Sequence, residues 1–195
     1  MTSRSLAADR TDDLGTVADV ARTANALTLF GAVPFVGLAA LALFGDAAAR
    51  AFGLPALALQ LGWWATLSLA LYAAAILSFL GGIRFGLAVG SAADGGHGPR
   101  RARRDLAISV LPSLAAWVLS IVACLGLFSG FTFVTGIALA LAAACVLAQW
   151  AWDRRAARHG LAPAWFGPMR SRITAIVVPV LLVGAYAATR IGAPG

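Results

Sequence analysis

Few side chains in this sequence can do chemistry, and they lie far apart. Among 195 residues there are fifteen arginines, eight aspartates, two histidines and two cysteines, with no lysine and no glutamate. Arg84 alone interrupts a long apolar run, while Asp105 and Asp153 stand at the edges of others. An arginine at the bilayer centre costs about 2.5–3.5 kcal/mol on insertion scales, so it needs either a partner or a route to the surface. Asp153 is the expected partner of Arg84, with Asp105 second; the alternative is that Arg84 snorkels to lipid headgroups. His97 sits among glycines without a second His or Cys at ligand spacing, and Cys124 and Cys145 read as small buried hydrophobes. Ser-His-Asp, paired-carboxylate, phosphate-cradling and dinucleotide patterns are absent; Gly81-Gly82 follow an apolar helix rather than a strand. The expectation is therefore no catalytic residue, no metal, no cofactor, and a protein that is not an enzyme.

A second group is polar or aromatic without being charged. Pro34, Tyr72, Ser78, Ser113 and Trp117 fall on three different apolar segments. If those segments pack together, the five residues form a candidate pocket for a lipid or quinone headgroup. The plain alternative is core packing with satisfied hydroxyls.

These residues must be positioned by membrane helices. At 61% hydrophobic and 12% charged residues, with mean hydropathy +0.85, the chain has more apolar surface than a soluble core can hide. The lipid bilayer is then part of its solvent. About 20 apolar residues cross the ~30 Å hydrocarbon core as a helix, and five segments qualify: 25–45, 57–83 extending to 90, 106–127, 131–152 and 173–189. The fold class is an all-α, polytopic five-helix bundle over residues 25–190, preceded by a polar tail over 1–24 that forms at most one or two turns from Leu14 to Ala24. That tail fits neither a secretory signal nor a mitochondrial presequence. Pro34 is expected to free the Phe30 carbonyl and kink the first helix, with Thr28 or a neighbour compensating. Asp105 is placed to cap the third helix, and the four-residue connection 128–131 makes the third and fourth an antiparallel hairpin. Gln149, Trp150 and Trp152 are expected to mark an interface, Trp165 and Phe166 to insert among headgroups, and Arg170 and Arg172 to snorkel and lengthen the short last span.

Along the second span, Ala74, Ser78, Gly82, Gly86 and Gly90 recur every fourth residue. On a helix this is a groove without bulky side chains, and it is expected to receive neighbours from the protein's own bundle. Arg84 lies about 200° from Gly82 around the helix, so it belongs to another face.

Leaving Arg84 aside, five crossings place twelve arginines on one side, against Arg50 and Arg190 on the other. The positive-inside rule then sets the amino terminus in the cytoplasm and the carboxyl terminus in the periplasm. Arginines clustered between apolar runs read as topology signals, not as a nucleic-acid footprint.

Several blocks together resemble the DUF3429 membrane family, which includes the mitochondrial transmembrane protein 69 of animals. They are Phe30-Gly31-Ala32-Val33-Pro34-Phe35, the run from Tyr72 through Ser78-Phe79-Leu80-Gly81-Gly82 to Gly86, Leu111-Pro112-Ser113 to Trp117, Asp153, and Pro163 to Phe166 with Arg170 to Thr174. The resemblance implies a multi-helix fold in a bacterial or mitochondrial inner membrane and no catalytic residues. Abundant packing motifs, few charges in the spans and no inverted repeat favour an accessory or assembly partner of another membrane complex. A carrier or binder of a lipid, quinone or other small molecule is the alternative. The sequence leaves the oligomeric state open.

Overall fold

The computed structural model describes residues 3–93, 99–158, 162–163 and 165–191; His97 and His159 lie outside them. The described residues form six helices: α1 (Ser3–Ala51), α2 (Pro55–Ala93), α3 (Pro99–Ser109), α4 (Leu111–Phe128), α5 (Thr132–Arg158) and α6 (Phe166–Arg190). Alanine- and leucine-rich runs favour helix intrinsically, and in lipid a helix satisfies its backbone internally. Five segments are long and apolar enough to cross a membrane: Val17–Ala51, Gln60–Gly90, Arg103–Phe128, Thr132–Arg158 and Phe166–Arg190. The expected five-span all-α bundle is what the chain forms.

The ends of these helices differ from expectation in three places. The amino-terminal segment is helical from Ser3 rather than from Leu14, continuous with the first span. The third span is split: α3 ends at Ser109, Val110 intervenes, and Pro112 sits in the first turn of α4, where a missing N–H is tolerated. Asp105 therefore lies inside α3 and does not cap the helix expected to begin at residue 106. The last span starts at Phe166 instead of residue 173, because the Phe166 amide donates to the Pro163 carbonyl (3.0 Å) and the Met169 amide to the Trp165 carbonyl (3.3 Å). Trp165 and Phe166 are thus the start of α6, which at 25 residues needs no snorkelling arginine to reach across.

Two glycines turn the chain sharply. Gly53, between α1 and α2, and Gly130, between α4 and α5, have φ of 71° and 79°, the left-handed region that L side chains rarely adopt. The short second turn makes α4 and α5 the expected hairpin, fastened where Thr135 Oγ1 donates to the Ala123 carbonyl at 2.9 Å.

α2 is the central element. It packs against every other helix, while around it α1 meets α6, α6 meets α5, and α5 meets α4; α1 and α4 do not touch. The core comprises Phe35, Leu69, Leu77, Leu139 and Leu181, set among many buried alanines such as Ala73, Ala123, Ala142 and Ala143. Large apolar side chains instead face outward, including Phe30, Phe52, Phe79 and Phe128. This distribution suits lipid as solvent: burying Leu gains little over contact with acyl chains, so close approach of small residues holds the helices together.

Candidate functional site

The candidate site lies where α2, α5 and α6 meet near the arginine-rich end, the end that carries the α2–α3 and α5–α6 connections. Asp153 sits five residues before the end of α5, Arg170 four residues after the start of α6, and Arg84 six residues before Gly90 on α2. All three converge. Arg84 Nη2 and Nε donate to Asp153 Oδ1 at 3.0 and 3.2 Å, and Arg170 Nε donates to Asp153 Oδ2 at 2.8 Å. Each carboxylate oxygen thus takes one guanidinium. The Arg84 guanidinium also lies 3.9 Å from the centroid of the Trp152 ring, a distance at which a desolvated cation–π contact contributes up to about 2 kcal/mol.

Burial makes this cluster consequential. The side chains of Arg84, Asp153 and Arg170 are 12%, 7% and 7% exposed, so water screens them little. With two guanidiniums on one carboxylate the cluster carries one surplus positive charge. It is a clasp joining three helices, and nothing in it pairs a nucleophile with a base.

The expected partners Arg84 and Asp153 are in contact, and two further members come from residues expected at the surface. Arg170 is buried rather than snorkelling, and Trp152 covers Arg84. The signal for Arg170 is in the spacing. Asp153 lies five residues before the end of α5 and Arg170 four after the start of α6, so extending both helices toward their connection sets them nearly side by side in an antiparallel pair. One turn deeper on the same two helices, Gln149 and Thr174 are buried, Gln149 at 4% exposure. Gln149 Nε2, Thr174 Oγ1 and Arg170 Nη2 are buried without a hydrogen-bond partner among the described residues.

The five residues of the expected pocket do not converge. Trp117 is 64% exposed, Pro34 also faces outward, and α1 and α4 each pack on α2 without packing on one another. Tyr72 and the serines are used in packing. The Tyr72 hydroxyl donates to the Gly31 carbonyl at 2.9 Å, and its ring meets Phe35 edge-on at 4.8 Å. That carbonyl is the one next to the carbonyl Pro34 frees, and Thr28 Oγ1 donates to the Ala24 carbonyl, so neither group meets the Phe30 carbonyl expected to need compensation. Ser113 Oγ points at the Ser78 carbonyl, 3.4 Å away.

The four-residue ladder is likewise redistributed. Ala74 is buried and Ser78 meets α4, but a methyl group added at Gly82, Gly86 or Gly90 would meet nothing within 4 Å. Among the described residues, nothing packs on these three glycines. A repeat of four on a helix of 3.6 residues per turn drifts by about 40° per step, which carries the stripe off the buried face. The close approach belongs to Gly81: a methyl group there would stand 2.9 Å from the Ser109 carbonyl oxygen and 3.0 Å from Ser113 Oγ. The break between α3 and α4 is seated on Gly81.

A small-residue bundle with an arginine-aspartate clasp between its spans defines a helical polytopic membrane protein. The chain belongs to the family described as "Protein of unknown function (DUF3429)", whose model matches residues 20–186. No curated protein and no solved structure matches it.

Proposed function

We propose that this protein is a non-enzymatic accessory or assembly partner of another inner-membrane complex. The observation that carries this reading is the face of α2 formed by Gly82, Gly86 and Gly90, which no other described residue covers. In lipid, glycines at four-residue spacing let a second helix approach closely enough for backbone-to-backbone packing. Phe79, Phe85 and Val89 are exposed on the same half of α2 and offer larger surfaces beside the groove. The titratable groups between the spans pair with one another, which leaves them to hold helices together rather than to line a transport path. The arginine asymmetry supports a cytoplasmic amino terminus and a periplasmic carboxyl terminus, and with them an inner-membrane setting.

A photo-crosslinking residue placed at Gly86 in native membranes tests the reading. It is expected to capture one stoichiometric membrane protein, whereas the same probe at the lipid-exposed Leu125 on α4 captures none. Gly86→Leu is expected to abolish co-purification of that partner with the yield of this protein unchanged. Crosslinks to lipid alone, or only to a second copy of the chain, overturn it.

A further inference from the structure

Beside the clasp, on the outer side of the same two helices, lies a cavity of about 480 Å³ between the end of α5 and the start of α6. Arg154, Ala157 and Arg158 line it from α5, and Gly167, Pro168 and Ser171 from α6. We infer that this groove holds the phosphate of an acidic phospholipid, of the phosphatidylglycerol or cardiolipin class.

The charge of the groove is the first support. Among the described residues, neither Arg154 nor Arg158 pairs with a carboxylate and no acidic side chain lines the cavity. The neighbouring clasp does not offset them, since it carries a surplus positive charge itself. Guanidiniums bind phosphate oxygens through charge-assisted hydrogen bonds, and basic pockets between membrane helices on the cytoplasmic side suit lipid headgroups.

The second support is the way the walls are held. Trp150 Nε1 donates to Ser171 Oγ at 3.0 Å, tying α5 to α6, and Ser171 Oγ in turn donates to the Gly167 carbonyl at 3.1 Å. The Arg154 guanidinium lies 5.0 Å from the centroid of the Trp150 ring, which keeps it at the wall. Gly167 keeps the cleft open: an added methyl group would already stand in van der Waals contact with Ala157 Cβ at 3.6 Å, so a larger side chain there would occupy the cavity.

The third support distinguishes a lipid from a free phosphate. Leu147 lies two turns before Arg154 on the same stripe of α5, and Leu182 lies three turns beyond Ser171 on the matching stripe of α6. Both are exposed, so acyl chains leaving the groove have apolar helix faces to follow.

This inference is independent of the accessory reading, which concerns α2. Native mass spectrometry of the purified protein, offered phosphatidylglycerol, phosphatidylcholine or inorganic phosphate in separate arms, tests it. Phosphatidylglycerol is expected to be retained at one per chain, at least about tenfold better than phosphatidylcholine, with no retention of inorganic phosphate. Arg154→Ala/Arg158→Ala is expected to erase the preference. Gly167→Leu is expected to do the same with both arginines present, and Arg155→Ala to leave it intact. All variants are compared as monodisperse protein with unchanged melting temperature. Equal retention of the two lipids, an unchanged preference in the double variant, or a preference lost equally in Arg155→Ala overturns the inference.

Discussion

The seam between α2, α5 and α6 and the outer faces of the same helices use the same residue types in opposite ways. In the seam, Arg84 and Arg170 are bound by one carboxylate, and on another buried face of α2 Gly81 is filled by the α3–α4 break. Outside it, Arg154 and Arg158 border an open groove, and Gly82, Gly86 and Gly90 meet nothing. One residue's difference in position separates Gly81 from Gly82, and one residue separates Asp153 from Arg154. Arginine and glycine at such positions therefore have no fixed role in a membrane helix; a rotation of about 100° decides whether each is consumed by the bundle or left available.

The largest effect that would sharpen this contrast is expected at Asp153. Asp153→Asn leaves two buried guanidiniums without a counter-charge, and losing one partner of a buried ion pair costs about 3–5 kcal/mol. Accumulation in membranes and melting temperature should both fall steeply. Removing one arginine should cost less, since a neutral pair remains: Arg84→Ala should lower membrane yield less than Asp153→Asn but more than Arg50→Ala. Arg50 forms only an exposed pair with Asp46 on one helix face, a type of pair that contributes at most about 0.5 kcal/mol. Equal yields of the Arg84 and Arg50 variants would break the distinction between seam and surface.

Glycine variants probe the same contrast at a smaller scale. Gly81→Ala pushes a methyl group against the Ser109 carbonyl and should cost about 1–3 kcal/mol, as overpacking does. Gly82→Ala should be neutral or slightly stabilising, because alanine favours helix and nothing obstructs it. Thermal unfolding in detergent separates the two, and the opposite ranking would mean that the helix is rotated from the position described. Tyr72→Phe should cost about 1 kcal/mol, the worth of the bond to the Gly31 carbonyl, with the Phe35 contact retained. Smallest of all, Arg154→Ala/Arg158→Ala should leave the melting temperature in lipid-free detergent unchanged.

Much of this was legible because the signals are local. Apolar length yields five spans, and Gly130 in a short connection gives the α4–α5 hairpin. The pairing of Arg84 with Asp153 follows from counting the few charges near one end. What escaped was rotational. The ladder from Ala74 to Gly90 counts as one surface in the sequence, yet drift divides it between a packed end and an open one. Tyr72, Ser78, Ser113, Trp117 and Pro34 are an attractive set only if α1 and α4 are neighbours, and α2 keeps them apart. Arg170 was missed because a charge near a span's end reads as a surface feature, whereas α6 starts four residues earlier and turns it inward; the contact of Trp152 with Arg84 depends on how α5 meets α2.

Composition and hydropathy alone determined that this chain is a five-span helical membrane protein with one arginine-rich end, because transfer into lipid is a property of segments and needs no partner. Tertiary structure alone decided which arginines are neutralised and which glycines are filled. Those outcomes depend on the angle at which one helix meets another, and packing across helices that are distant in sequence sets that angle.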